Sequence, residues 1–140
     1  MLLEICANSY QSVLNAQKAG AHRIELCSEL SIGGITPSYG LLKLVLDSFS
    51  IPVFVLIRPR GGNFNYSNEE FEIMKQDIKL CKSLGCNGIV SGVLTEDNII
   101  DIKRTQELVE LSKPLKFTFH RAFDCVKNPN KALEQLINLG

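Results

Sequence analysis

The chain has 140 residues, 45% of them hydrophobic and 21% charged, with fifteen Lys and Arg balanced by fifteen Asp and Glu. That is the composition of one globular domain, and the lack of a basic cluster argues against nucleic-acid or membrane-surface partners. No apolar run approaches the roughly twenty residues of a membrane span. The N-terminus enters a strand pattern directly, without a basic n-region or a small-residue cleavage site. A cytoplasmic protein is therefore expected. Five cysteines is an odd number, with no CxxC pair, which fits reduced thiols better than a disulfide framework or structural zinc.

Strands and helices alternate along the chain. Leu2–Ala7 reads as a strand, Ser9–Ala19 as a helix and His22–Cys27 as a second strand. A helix over Ser38–Ser48 precedes a strand at Pro52–Arg58. The next helix, Asn68–Leu84, has the clearest signature: Ser67 and Glu70 form a capping box, and Phe71, Met74, Ile78 and Cys81 recur at helical spacing. A strand at Gly88–Leu94, a helix at Lys103–Ser112 and a strand at Leu115–His120 follow. The last helix, Pro129–Leu139, opens with Asn128 as N-cap and Pro129 at its first position. Gly20, Gly85 and Gly140 stand where helix C-caps should be.

Such alternation requires parallel pairing with right-handed crossovers, in either an open doubly wound sheet or a (β/α)8 barrel. The first strand-to-helix turn, Ala7-Asn8-Ser9, lacks the glycine fingerprint of a nucleotide-binding open sheet. Strand parity favours the barrel. Glu4 and Cys6, Glu25 and Cys27, and Lys116, Thr118 and His120 each fall on one face of their strands. That face is too polar for an ordinary buried parallel sheet. Phe117 and Phe119 would face the helices.

In a barrel, the C-terminal strand ends carry the chemistry. Glu25, Arg58, His120, Arg121 and Asp124 would converge there. A His beside a carboxylate serves as general acid or base, and Arg58 with Arg60 would grip a small anion bidentately. The alternative is a buried ion-pair network that satisfies polar groups inside the barrel. The Arg58–Glu70 segment, with Gly61, Gly62, Phe64 and Tyr66, reads as a lid, an anion-binding loop, or a long loop packed on its neighbours. His22, at the opposite barrel end, reads as a surface residue. Cys81, Cys86 and Cys125 read as structural.

Several stretches carry a resemblance: Glu4-Ile5-Cys6, the run from Gly20 to Cys27, and Gly33-Gly34-Ile35-Thr36-Pro37-Ser38. Ile57-Arg58-Pro59-Arg60-Gly61-Gly62 and Thr118-Phe119-His120-Arg121-Ala122-Phe123-Asp124 add to it. On these the chain resembles the CutC family of copper-homeostasis proteins, which adopt a TIM-barrel fold. The resemblance implies a copper-homeostasis role, with Cys6 and Cys27 as copper ligands. Cu(I) prefers thiolates, and strands about 4.8 Å apart would let two inward thiols of similar height approach one ion. Without the resemblance, both would read as small apolar fillers. A TIM-barrel enzyme acting on a small anionic metabolite is the competing expectation.

A complete barrel of this kind needs eight repeats and about 250 residues. These 140 residues hold five, so the expected domain, 1–140, is a partial (β/α)8 barrel. Its first and fifth strands would lack outer partners, and unpaired strand edges template association. A homo-oligomer is expected.

Overall fold

In a computed structural model, which describes residues 1–139, the strands are β1 (Glu4–Ala7), β2 (Arg23–Leu26), β3 (Val53–Leu56), β4 (Gly88–Ser91) and β5 (Lys116–Phe119). Helices α1 (Tyr10–Lys18), α2 (Tyr39–Ser48), α3 (Asn68–Leu84), α4 (Ile102–Ser112) and α5 (Pro129–Leu139) follow them in turn. Short 3-10 turns lie at Leu30–Ile32 and Arg121–Cys125. Each expected element is present, with the strands trimmed at their ends. The expected strand through Leu94 stops at Ser91, and Leu94 instead forms an isolated antiparallel bridge with Ile100.

Local chemistry accounts for the helix boundaries. The capping box at the start of α3 is formed on both sides, between Ser67 and Glu70. Ser9 and Ser12 make a second box at α1. Asn128 Oδ1 accepts the Lys131 N–H ahead of α5. Gly85 ends α3 with φ +83°, a left-handed conformation that costs glycine no Cβ clash. Ala19 rather than Gly20 caps α1, and Gly20 follows it with φ +79°. The C-cap expected at Gly140 lies outside the described residues.

The five strands are all parallel and lie in the order β1-β2-β3-β4-β5. A doubly wound sheet reverses its strand order at a switch point; this sheet does not. With sequential strands and crossovers of one hand, all the helices fall on one face. The core shows this directly for α1 to α4. Val13, Leu42, Val45, Phe71, Met74, Ile78 and Leu108 pack against Ile24, Leu26, Val53, Val55 and Ile89. Phe117 joins that layer, as its parity requires. On the opposite face a separate cluster forms from Cys27, Phe54, Leu56 and Val90. A sheet with apolar side chains on both faces of its central strands, and helices on one face only, is the wall of a barrel.

Candidate functional site

The inner face is ordered in rows by the strand register. Cys6 pairs with Glu25, Glu25 with Phe54, Phe54 with Gly88 and Gly88 with Lys116. In the next row Leu56 pairs with Val90 and Val90 with Thr118. Cys27 follows Leu26, the partner of Val55, and so stands level with Leu56. The two thiols are therefore offset by one row instead of lying side by side. Parallel pairing sets the step: β2 is shifted so that Glu25, not Cys27, meets Cys6. Further along the same parity come Arg58, Gly92 and His120.

One cleft of about 270 Å³ is lined by Cys6, Glu25, Cys27, Thr118, His120 and Arg121, with Leu30, Gly33, Leu56 and Val90 completing its walls. Cys6, Glu25, Cys27, His120 and Arg121, five of the residues singled out above, thus share a single space. Cys27 is buried and its Sγ lies 3.7 Å from the Ala7 carbonyl oxygen, while Cys6 is exposed. Both thiols are harder to ionise than usual. Burial, then Glu25, pushes Cys27 up to about 11. Burial, Glu25 and Glu4 raise Cys6.

The Glu25 carboxylate has no hydrogen bond or ion pair among the described residues; Arg23 turns instead to Glu4 and stacks over Phe54 at 4.1 Å. Burial and the Glu4 charge raise the Glu25 carboxyl, with Arg23 acting against them. His120 is held by its neighbours. Its Nδ1 accepts the Ala122 N–H at 3.3 Å, and its ring meets Phe64 at 4.9 Å between centroids. That bond places the ring proton on Nε2, which is buried and has no partner. Burial, helped by the Arg58 charge, lowers the His120 pKa to about 4, so the ring is neutral at pH 7. Gly92 makes room for it, since a Cβ there would stand 2.8 Å from His120 Nδ1.

Arg58 is positioned differently from the expectation. It is 5% exposed, and its Nη1 donates to the Ile32 and Gly34 carbonyl oxygens at 3.1 and 2.8 Å. Its Nη2 donates to Gly62 O at 2.7 Å, and the guanidinium lies over Phe64 at 4.8 Å. Arg60 is engaged by Glu70 and by the carbonyls of Gly61, Asn63 and Asn65. The two arginines do not form an anion clamp. Arg58 pins the two glycine-containing loops together, and Arg60 ties the second of them to the start of α3, because a planar guanidinium satisfies several loop acceptors at once. Gly34 is required in that knot: its φ is +85°, and a Cβ would meet Leu56 Cδ2 at 2.8 Å. The Arg58–Glu70 segment accordingly packs on its neighbours through Phe64.

Asp124 is exposed and faces Arg121, 3.6 Å from its Nε, at the rim and not in the cleft. His22 is exposed and accepts the Leu3 N–H. Thr118, Leu30, Gly33 and Gly92 belong to the site or its support without having been singled out for it. Thr118 was legible from parity, whereas nothing local marks Gly92. Among the described residues, no group of three or more His, Cys, Asp and Glu is arranged to hold a metal ion.

The CutC family model matches residues 1–140. The chain belongs to the CutC family. It is 55% identical over 139 residues to the copper homeostasis protein cutC homolog of Homo sapiens, covering 99% of this chain and 51% of that one. To the family protein CutC of Chromobacterium violaceum it is 48% identical, covering 99% and 56%. A crystal structure from Streptococcus agalactiae described as CutC superposes with a TM-score of 0.91 at 39% identity, over 100% of this chain and 70% of that one. The chain spans about half the length of the curated relatives it matches. The partial barrel thus follows part of a CutC-type architecture.

Proposed function

We propose that this CutC-family chain serves copper homeostasis in the cytoplasm by binding Cu(I) through the thiolates of Cys6 and Cys27. The observation that carries this reading is that two soft donors from neighbouring strands line the same cleft in a chain whose relatives are named for copper homeostasis. Copper is cargo here, and the donor set suits it: Cu(I) prefers thiolates and tolerates few ligands. Flexing of the exposed Cys6 side chain has to close the one-row offset. After burial, Glu25 raises both thiols and Glu4 raises Cys6, but the same negative potential attracts a cation. Loading must release the thiol protons. With both pKa values raised, affinity should climb with pH by up to about a hundredfold per unit, two protons being lost.

Titration of reduced protein with Cu(I) against a competing chelator tests the proposal. Cys6→Ser or Cys27→Ser should weaken binding sharply, and the double variant should abolish it. A double variant that binds as tightly as the parent defeats the reading.

A second reading rests on a different observation: His120 Nε2 and the Glu25 carboxylate both lack partners in the cleft. They suit an enzyme site for a small anionic metabolite. Neutral His120 would donate to a substrate oxygen, Glu25 would take or return a proton, and Arg121, oriented by Asp124, would supply the cation at the mouth. A metabolite screen by ligand-observed NMR on the parent and on His120→Gln separates the two. A small anion that binds the parent but not the variant supports the enzyme, and no bound anion removes it.

A further inference from the structure

On the opposite side of the sheet from the cleft, two cysteines meet at the end of α3. The helix closes with Gly85 in the left-handed conformation, the Gly85 N–H on Lys82 O at 3.1 Å and the Cys86 N–H on Cys81 O at 3.2 Å. That pair of bonds is a Schellman motif, which habitually brings the side chains at its first and last positions into contact. Those positions are usually filled by hydrophobic residues; here they are Cys81 and Cys86. Both belong to the helix-side core, at 1% and 3% exposure.

We propose that Cys81 and Cys86 form a redox-active dithiol, a site of oxidation by hydrogen peroxide that closes to an intramolecular disulfide. The motif brings the two thiols side by side within that core, close enough for each to perturb the ionisation of the other. Their mutual interaction raises the Cys81 thiol and lowers that of Cys86, so Cys86 is the attacking sulfur. Ionising Cys86 forfeits one weak bond, its 3.7 Å contact with Gly88 O. A disulfide is uncharged, which suits an apolar core better than a thiolate pair holding a cation. Peroxide is small and neutral, and helix ends open locally at low cost.

The step balances. The Cys86 thiolate attacks one peroxide oxygen, the O–O bond breaks, and the departing hydroxide takes the Cys81 proton to become water. Cys86 is then a sulfenic acid. The Cys81 thiolate attacks Cys86 Sγ, the S–S bond forms and the S–O bond breaks. The second hydroxide takes up the proton released when Cys86 ionised. Two thiols are oxidised by two electrons, and one peroxide is reduced to two waters.

The test treats the reduced full chain, free of metal, with hydrogen peroxide, then alkylates it under denaturing conditions and maps the peptides by mass spectrometry. Alkylation should be lost at Cys81 and Cys86 together and recovered on reduction. In Cys81→Ser, a sulfenic acid should be trapped at Cys86 with dimedone. Cys86→Ser should leave Cys81 unlabelled. Full alkylation of both after oxidation, or a crosslink from either to Cys6, Cys27 or Cys125, overturns the proposal. If circular dichroism shows that a serine variant does not fold, the peptide map of the parent decides alone. Copper binding at Cys6 and Cys27 is independent of this outcome, since the two pairs face opposite sides of the sheet.

Discussion

Phe64 touches both the Arg58 guanidinium and the His120 ring, and the Arg58 charge acts in two ways. It holds the loops after β2 and β3 through three carbonyl bonds. It also disfavours a second positive charge on His120. Arg58→Ala would strip partners from buried carbonyls such as that of Gly34, and should destabilise the chain by about 3 kcal/mol in urea unfolding. A loss within error of zero would show that Arg58 is free for a ligand after all. For His120 the sign is definite. Its pKa falls from 6.5 when unfolded to about 4 when folded, so the unfolded chain binds the proton first. Full stability holds above about pH 6.5 and declines as the pH drops toward 4. His120→Gln should flatten that part of the stability profile, measured by thermal melts from pH 7 to 4. An unchanged slope would assign it to other groups.

Among the elements, α3 is the longest helix, and its start is secured by a reciprocal pair of side-chain caps. Ser67 accepts the Glu70 N–H, and Glu70 returns the bond to the Ser67 N–H at 2.8 Å. Arg60 also holds Glu70, which couples the loop after β3 to the helix it precedes. Ser67→Ala should therefore cost about 1 kcal/mol, the ordinary value for a lost N-cap. Chemical denaturation measures it, and a much larger loss would mean that the cap also orders the loop. At the other end, the Schellman turn takes α3 directly into β4. Asn87 Oδ1 accepts the Val53 N–H at 2.8 Å across that junction, which ties the helix end to the sheet register.

For the whole molecule, the edges are decisive. The sheet as described leaves β1 and β5 each with one unpaired side. The outer surface carries exposed Leu133 and Ile137 on α5 and Leu2 and Leu3 beside β1. Backbone groups without partners and apolar side chains in the same places favour association. The 140-residue chain in isolation should self-associate and melt at modest temperature. Light scattering with differential scanning calorimetry checks this, and a monodisperse monomer with a sharp high-temperature transition would contradict it. No helix of the described chain is long and apolar enough to cross a membrane.

Local chemistry by itself determined the ten elements, because periodicity, caps and turn residues act over a few neighbouring positions. It also determined which strand residues share a face, since parity is fixed by the pleat. Cys6, Glu25, Cys27, Thr118 and His120 were legible for that reason. What only the tertiary structure decided was register and competition for partners. The row offset of Cys6 and Cys27 depends on how far β2 slides along β1, which no local pattern encodes. Arg58 and Arg60 looked free because the carbonyls that engage them belong to loops brought close only by folding. The contact of Cys81 with Cys86 lies between these cases. The glycine that ends the helix was visible in the chain, but the two hydrogen bonds that press the thiols together form only when the turn closes.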